Sequence, residues 1–89
     1  MGVIKKEMVV KNKSGLHARP AALFVQVANK FDSRITVKRD GEEVNGKSIM
    51  GILMLGAEKD SIIIIEADGE DAQAALDELE KIIENEEDR

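Results

Sequence analysis

Apolar and polar side chains change period several times along this chain, and each change marks an element. Residues 3–10, VIKKEMVV, read as a strand: Ile4, Met8 and Val10 share one parity, broken by Lys6, while the other parity mixes Val3, Lys5, Glu7 and Val9. Asn12 to Gly15 is a turn cluster. From about Ala18 to Asn29 the period lengthens, with Ala21, Phe24, Val25 and Ala28 at helical spacing. Alternation returns over residues 34–39, where Ile35 and Val37 stand between polar neighbours. Asp40-Gly41 is a strong hairpin signal and leads to a short strand near Glu42–Asn45. Ser48 opens a compact apolar segment, IMGILMLG, that predicts a short helix weakened by Gly51. The β-branched run at residues 61–67 predicts a strand. Asp71 is placed to cap a last helix striped by Ala72, Ala75, Leu76, Leu79, Ile82 and Ile83, with a frayed tail, ENEEDR. The order β-α-β-β-α-β-α predicts an α+β fold in two layers, with helices on one face of an antiparallel sheet.

At 89 residues the chain is expected to be one domain over residues 1–89. A domain of this size buries only about 60% of its unfolded surface. It has no room for a large closed cleft, so any chemistry belongs on the surface and uses few residues. With no cysteine, disulfide and thiolate chemistry are excluded, and a cytoplasmic protein is expected. The opening residues form no secretory signal, and no apolar run approaches a membrane span. Lys6 stands where a myristoylation start at Met1-Gly2 would need Ser or Thr.

The net charge of −5 is unevenly spread. Residues 1–39 hold nine basic and two acidic side chains, a balance of +7, against −3 over residues 40–65 and −9 over residues 66–89. Such asymmetry can orient a protein against a charged partner, although most of it reads as solvated faces. Two Phe, no Tyr and no Trp leave nothing to stack bases, so nucleic acid is not an expected partner.

The informative stretch is SGLHARPAA, Ser14 to Ala22. Proline lacks a backbone N–H, and only the first four N–H groups of a helix lack internal acceptors. Pro20 therefore places the helix start no earlier than about His17 and argues against Ser14 as its cap. His17 then sits among backbone donors that suit an anion. Arg19, two residues on, brings a guanidinium able to meet phosphoryl oxygens with two hydrogen bonds, and Gly15 permits a tight turn before them. His17 is the single histidine and there is no cysteine, so no metal site is expected. A Ser-His-Asp hydrolase needs more surrounding architecture than this chain has.

SGLHARPAALFVQ resembles the active-site signature of the HPr family, the histidine phosphocarriers of the bacterial phosphoenolpyruvate-dependent sugar phosphotransferase system. VNGKSIMGILMLG, Val44 to Gly56, resembles that family's second signature, around a regulatory serine. The resemblance covers essentially the whole chain. It implies an open-faced β-sandwich with a four-stranded antiparallel sheet in the order 1-4-2-3 and three helices on one face. The residue pattern by itself leaves a ferredoxin-like order, 4-1-3-2, open as well. By the same resemblance, His17 is the phosphoryl acceptor at Nδ1, Arg19 assists transfer and Ser48 is the serine modified by a regulatory kinase. The implied partners are enzyme I as donor, enzyme IIA domains as acceptors, a serine kinase/phosphorylase and a catabolite-control transcription factor. A monomeric, stoichiometric carrier without cofactor is implied, and not an enzyme.

Ser48 before an apolar run also reads simply as an N-cap. Ile49, Met50, Leu53 and Met54 exceed what one face of a short helix can bury. Met50 and Leu53 are expected to be partly exposed, forming with Ala18, Ala22 and Ile49 an apolar docking patch beside His17. Gly46 stands where the family usually has a larger side chain, which is expected to loosen the approach to Ser48. Having both His17 and Ser48 distinguishes the chain from a catabolite-repression paralogue without the histidine and from a nitrogen-branch paralogue without the serine. Two other functions compete with the carrier: a regulatory binding module acting through phosphorylated Ser48, and an RNA-binding α/β sandwich, which the missing aromatics disfavour.

Overall fold

The computed structural model describes residues 2–86. Its elements are β1 (Val3–Val9), α1 (Ala18–Ala28), β2 (Arg34–Arg39), β3 (Glu42–Asn45), α2 (Ile49–Leu55), β4 (Ile62–Asp68) and α3 (Ala72–Ile83). The sheet is antiparallel in the order β1-β4-β2-β3, and the ferredoxin-like order is thereby excluded.

Register decides which side chains become core. In β4, Ile63, Ile65 and Ala67 are buried under the helices, while Ile62, Glu66 and Asp68 belong to the opposite parity. Pairing passes that division to the neighbours: Met8 lies opposite Ile63, Val37 opposite Ile65, and Ile35 opposite Ala67. Phe24, Ala21 and Ala28 of α1, Ile52 and Leu55 of α2, and the whole expected stripe of α3 complete one core. Lys6, the break in the β1 pattern, pairs with Ile65 and therefore shares the helix-side parity. It is tolerated because β1 is an edge strand and its ammonium meets the Glu80 carboxylate of α3 at 2.8 Å.

The β2–β3 hairpin turns through Asp40 at φ 51° and Gly41 at φ 84°, the paired positive angles of a tight two-residue hairpin turn. The last strand, Ile62–Asp68, lies one residue later than the expected 61–67: Ser61 Oγ accepts from Glu58 N–H in the preceding turn, and Asp68 still pairs with Val3. Asp71 corrects an expectation. It occupies the N-cap position of α3, but its side chain makes no capping hydrogen bond. Its carboxylate instead accepts from Asp32 N–H at 2.9 Å, Ser33 N–H at 3.0 Å and the Ser33 hydroxyl, tying the α1–β2 turn to α3. These three donors hold its carboxyl below the usual carboxylate range, the Ser33 hydroxyl first.

The tail expected to fray, residues 84–89, lies outside the described residues from residue 87 onward. As far as Asn85 it is held: Glu84 N–H donates to Glu80 O at 2.9 Å, and Asn85 O accepts from the Asn12 side chain at 2.9 Å. No helix among the described residues is long and apolar enough to cross a membrane.

Candidate functional site

The segment Leu16-His17-Ala18-Arg19-Pro20 is pinned at both ends and open in the middle. Leu16 and Pro20 are buried, whereas His17, Ala18 and Arg19 are exposed. Leu16 N–H donates to Ala57 O at 2.8 Å, and Gly15 N–H to Asn12 O at 3.0 Å. Gly15 takes φ 77°, and a Cβ there would lie 2.6 Å from Ala57 O, so the turn requires a residue without a side chain. Asn12, read from sequence only as a turn residue, is buried, and its Nδ2 donates to Ile82 O and Asn85 O at 2.9 Å each. The loop before His17 is thus fastened to the 57–58 segment and to the end of α3.

His17 is the N-cap residue of α1, with extended backbone at φ −137° and ψ 169°, and its side chain does not cap the helix. The following Ala18 sits at φ 48°, a left-handed conformation that costs an L-residue roughly 1–2 kcal/mol. The buried anchors on either side impose it. The first turn of α1 contains no acidic residue, and among the described residues Arg19 joins no ion pair. The head of α1 thus carries an exposed imidazole and, two residues on, an exposed guanidinium, with no acidic residue in its first turn. Such a surface is chemically suited to a phosphoryl group.

Ser48 holds the equivalent position on the neighbouring helix. It is the N-cap of α2, and its Oγ accepts from Gly51 N–H at 3.1 Å. The turn before it is closed by Lys47 N–H to Asn45 Oδ1 at 2.9 Å and Ser48 N–H to Asn45 O at 3.1 Å. Gly46 does not loosen this approach. It is buried, donates to Ile35 O at 2.8 Å, and a Cβ on it would fall 2.5 Å from Ile35 Cγ2. The small residue lets the turn press onto β2. Two further contacts join the turn to the end of α1: Asn29 Nδ2 donates to Lys47 O at 3.2 Å, and the Lys47 ammonium to Phe31 O at 2.6 Å.

Of the apolar residues in α2, Ile52 and Leu55 enter the core and the other four do not: Ile49 and Leu53 are exposed, Met50 is 63% exposed and Met54 74%. α1 packs against α2, and Ala18 and Ala22 of α1 are likewise exposed. The sequence reading missed Leu23, which is exposed next to Ala22, and did not single out Met54 as the most exposed. Leu23 lies outside the Ala21–Phe24–Ala28 stripe, and that offset was the available signal.

Comparison with known proteins agrees with this geometry. The family model described as "PTS HPr component phosphorylation site" matches residues 4–85. The chain is 48% identical to an HPr-like protein Crh of Halalkalibacterium halodurans over 84 residues, covering 94% of this chain and 100% of that one. It is 43% identical to a phosphocarrier protein HPr of Xylella fastidiosa, covering 93% of each. The crystal structure of an HPr from Bacillus anthracis superposes with a TM-score of 0.89 at 47% identity, covering 91% of this chain and 96% of that one. An open antiparallel sandwich with an exposed histidine heading its first helix defines a small α+β phosphocarrier. The chain belongs to the HPr family.

Proposed function

We propose that residues 1–89 act as one phosphocarrier domain that accepts a phosphoryl group on His17 from phospho-enzyme I and passes it to enzyme IIA domains. The observation that carries this reading is the exposed imidazole of His17 at the head of α1, held between buried Leu16 and Pro20, with Arg19 two residues away. In each half-reaction the lone pair of the attacking nitrogen forms a bond to phosphorus as the donor's own bond to phosphorus breaks. Arg19 neutralises charge on the phosphoryl oxygens during that exchange. The carrier is consumed stoichiometrically and needs no cofactor. Ala18, Ala22, Ile49, Met50 and Leu53 form the docking face for the partners. Ser48 is the site at which a serine kinase/phosphorylase regulates the carrier. The protein works as a cytoplasmic monomer.

Incubation with phosphoenolpyruvate and enzyme I of a relative tests the proposal. One phosphate per chain should appear on His17, labile in acid and stable in alkali, as a phosphoramidate is and a phosphoserine is not. His17→Ala should stay folded and take up none, because an exposed helix-cap position contributes little to the core. Labelling of the folded variant would overturn the assignment.

A second reading has its own support in the 48% identity to an HPr-like protein Crh. In it the chain is a regulatory module, and phosphorylated Ser48 drives docking to a catabolite-control transcription factor. A chain that gains no phosphate from the donor, yet binds such a factor once Ser48 is modified, would select this reading.

A further inference from the structure

Lys47 is a cation without an anion. Among the described residues it joins no ion pair; its ammonium is held at 2.6 Å by a neutral acceptor, the carbonyl of Phe31 just beyond α1. The residue that follows it is Ser48, whose Oγ points back to Gly51 N–H across the first turn of α2. Consecutive Cα atoms are about 3.8 Å apart, well within the reach of a four-methylene lysine arm. A phosphate on Ser48 would therefore place about −1.5 to −2 charges within range of an ammonium that has only a carbonyl to hold it. Charge-assisted hydrogen bonds are roughly twice as strong as neutral ones, and a bond between two ions exceeds one between an ammonium and a carbonyl. Phe31 is only part-buried, so water can replace the ammonium at its carbonyl at small cost.

We propose that Lys47 is the counter-ion of phosphorylated Ser48, and that on modification its ammonium leaves the Phe31 carbonyl for the phosphate, releasing the turn before α2 from the end of α1. This rests on the reading of Ser48 as a modified residue. The device changes how the two helices of the docking face are held together. In the unmodified chain, two side chains latch the turn to the end of α1: Asn29, through Lys47 O at 3.2 Å, and Lys47 itself. After modification Asn29 alone holds it, and the exposed face of α2 gains freedom relative to α1.

The test uses the full chain with phosphoserine genetically encoded at position 48, so no kinase is required. The second ionisation of the phosphate is followed by phosphorus NMR, and the Phe31 carbonyl by carbon NMR. Lys47→Met should raise the phosphate midpoint by about 1 pH unit, the low end of what a nearby opposite charge produces. Lys47→Arg and Lys30→Met should leave it near the parent value. Phosphorylation should also move the Phe31 carbonyl resonance to where Lys47→Met places it in the unmodified chain. An unchanged midpoint in Lys47→Met, an equal rise in Lys30→Met, or a Phe31 resonance indifferent to modification would each overturn the proposal. Failure to find phosphate on Ser48 in cells would remove its regulatory role but would leave these measurements standing.

Discussion

At the scale of single residues, the site is built by contrast between neighbours. Leu16 and Pro20 are buried so that His17, Ala18 and Arg19 can be exposed on a backbone they do not choose for themselves. Gly15 is the residue on which that arrangement turns. Gly15→Ala would place a Cβ 2.6 Å from Ala57 O at a positive φ. Overpacking of this kind costs typically about 1–3 kcal/mol. The urea midpoint should fall accordingly, and donor-dependent phosphorylation should slow beyond what the stability loss explains, because the loop before His17 must shift. Wild-type kinetics in this variant would show that the loop tolerates displacement. Arg19→Ala should slow phosphoryl transfer by roughly one to two decades without abolishing it, if its charge-assisted contact acts mainly in the transition state. Arg19→Lys should recover only part of the loss, since the planar fork is gone. Stopped-flow transfer rates decide the point, and equal rates in all three proteins would reduce Arg19 to a solvated side chain.

At the scale of elements, two helix N-caps do different work. Ser48 caps its own helix, whereas Asp71 spends its carboxylate on the α1–β2 turn. The Asp71 carboxyl is held below the usual range by the Ser33 hydroxyl and the Asp32 and Ser33 N–H groups. A depressed carboxyl contributes stability that is fully present above its unfolded value and is lost as pH falls through its folded value. Asp71→Asn should therefore be less stable than the parent at neutral pH, with the difference shrinking as pH falls below the ordinary carboxylate range. Urea midpoints from pH 7 to pH 3 would show this convergence; a pH-independent gap would mean that shape, not charge, fixes the turn. For α2, Ser48→Asp should raise the Michaelis constant for donor-dependent phosphorylation of His17, and Ser48→Ala should not. The added charge enters the exposed face shared by α1 and α2, where an anionic site is about to form. Unchanged constants for both, and for the phosphorylated chain, would leave Ser48 a helix cap and nothing more.

At the scale of the whole molecule, folding removes much of the charge asymmetry seen along the chain. The basic N-terminal part and the acidic C-terminal part are brought together: Lys6 meets Glu80 at 2.8 Å, and Lys38 meets Glu66 at 2.7 Å. Among the described residues Lys11, Lys13 and Arg19 enter no ion pair, and they lie in the stretch that carries His17. Part of the positive charge left unpaired by folding therefore lies beside the site. Donor-dependent phosphorylation at low carrier concentration should slow as salt rises from about 0.01 to 0.15 M, over which the screening length falls from about 30 to 8 Å. A salt-independent rate would mean that docking rests on the apolar face of α1 and α2 alone.

What local sequence determined was everything that depends on period and on intrinsic backbone chemistry. Alternation marked β2, the β-branched run marked β4, the stripe from Ala72 to Ile83 marked α3 residue by residue, and Asp40-Gly41 fixed the hairpin turn. Pro20, lacking an N–H, located the start of α1 and hence His17 at its head. These features need no distant partner. Tertiary structure decided what does: the strand order, which local pattern left open between two sandwiches; the use of Asp71 as a tie to Ser33 instead of a cap; and the burial of Asn12 against the end of α3, 70 residues away in sequence. It also decided that Gly46 is a close contact with Ile35 and that Lys47 reaches Phe31. A residue's period reports which side of its own element it occupies. Which distant carbonyl or carboxylate waits on that side is settled only when the elements pack, and in this chain those long-range polar contacts hold the His17 and Ser48 turns in place.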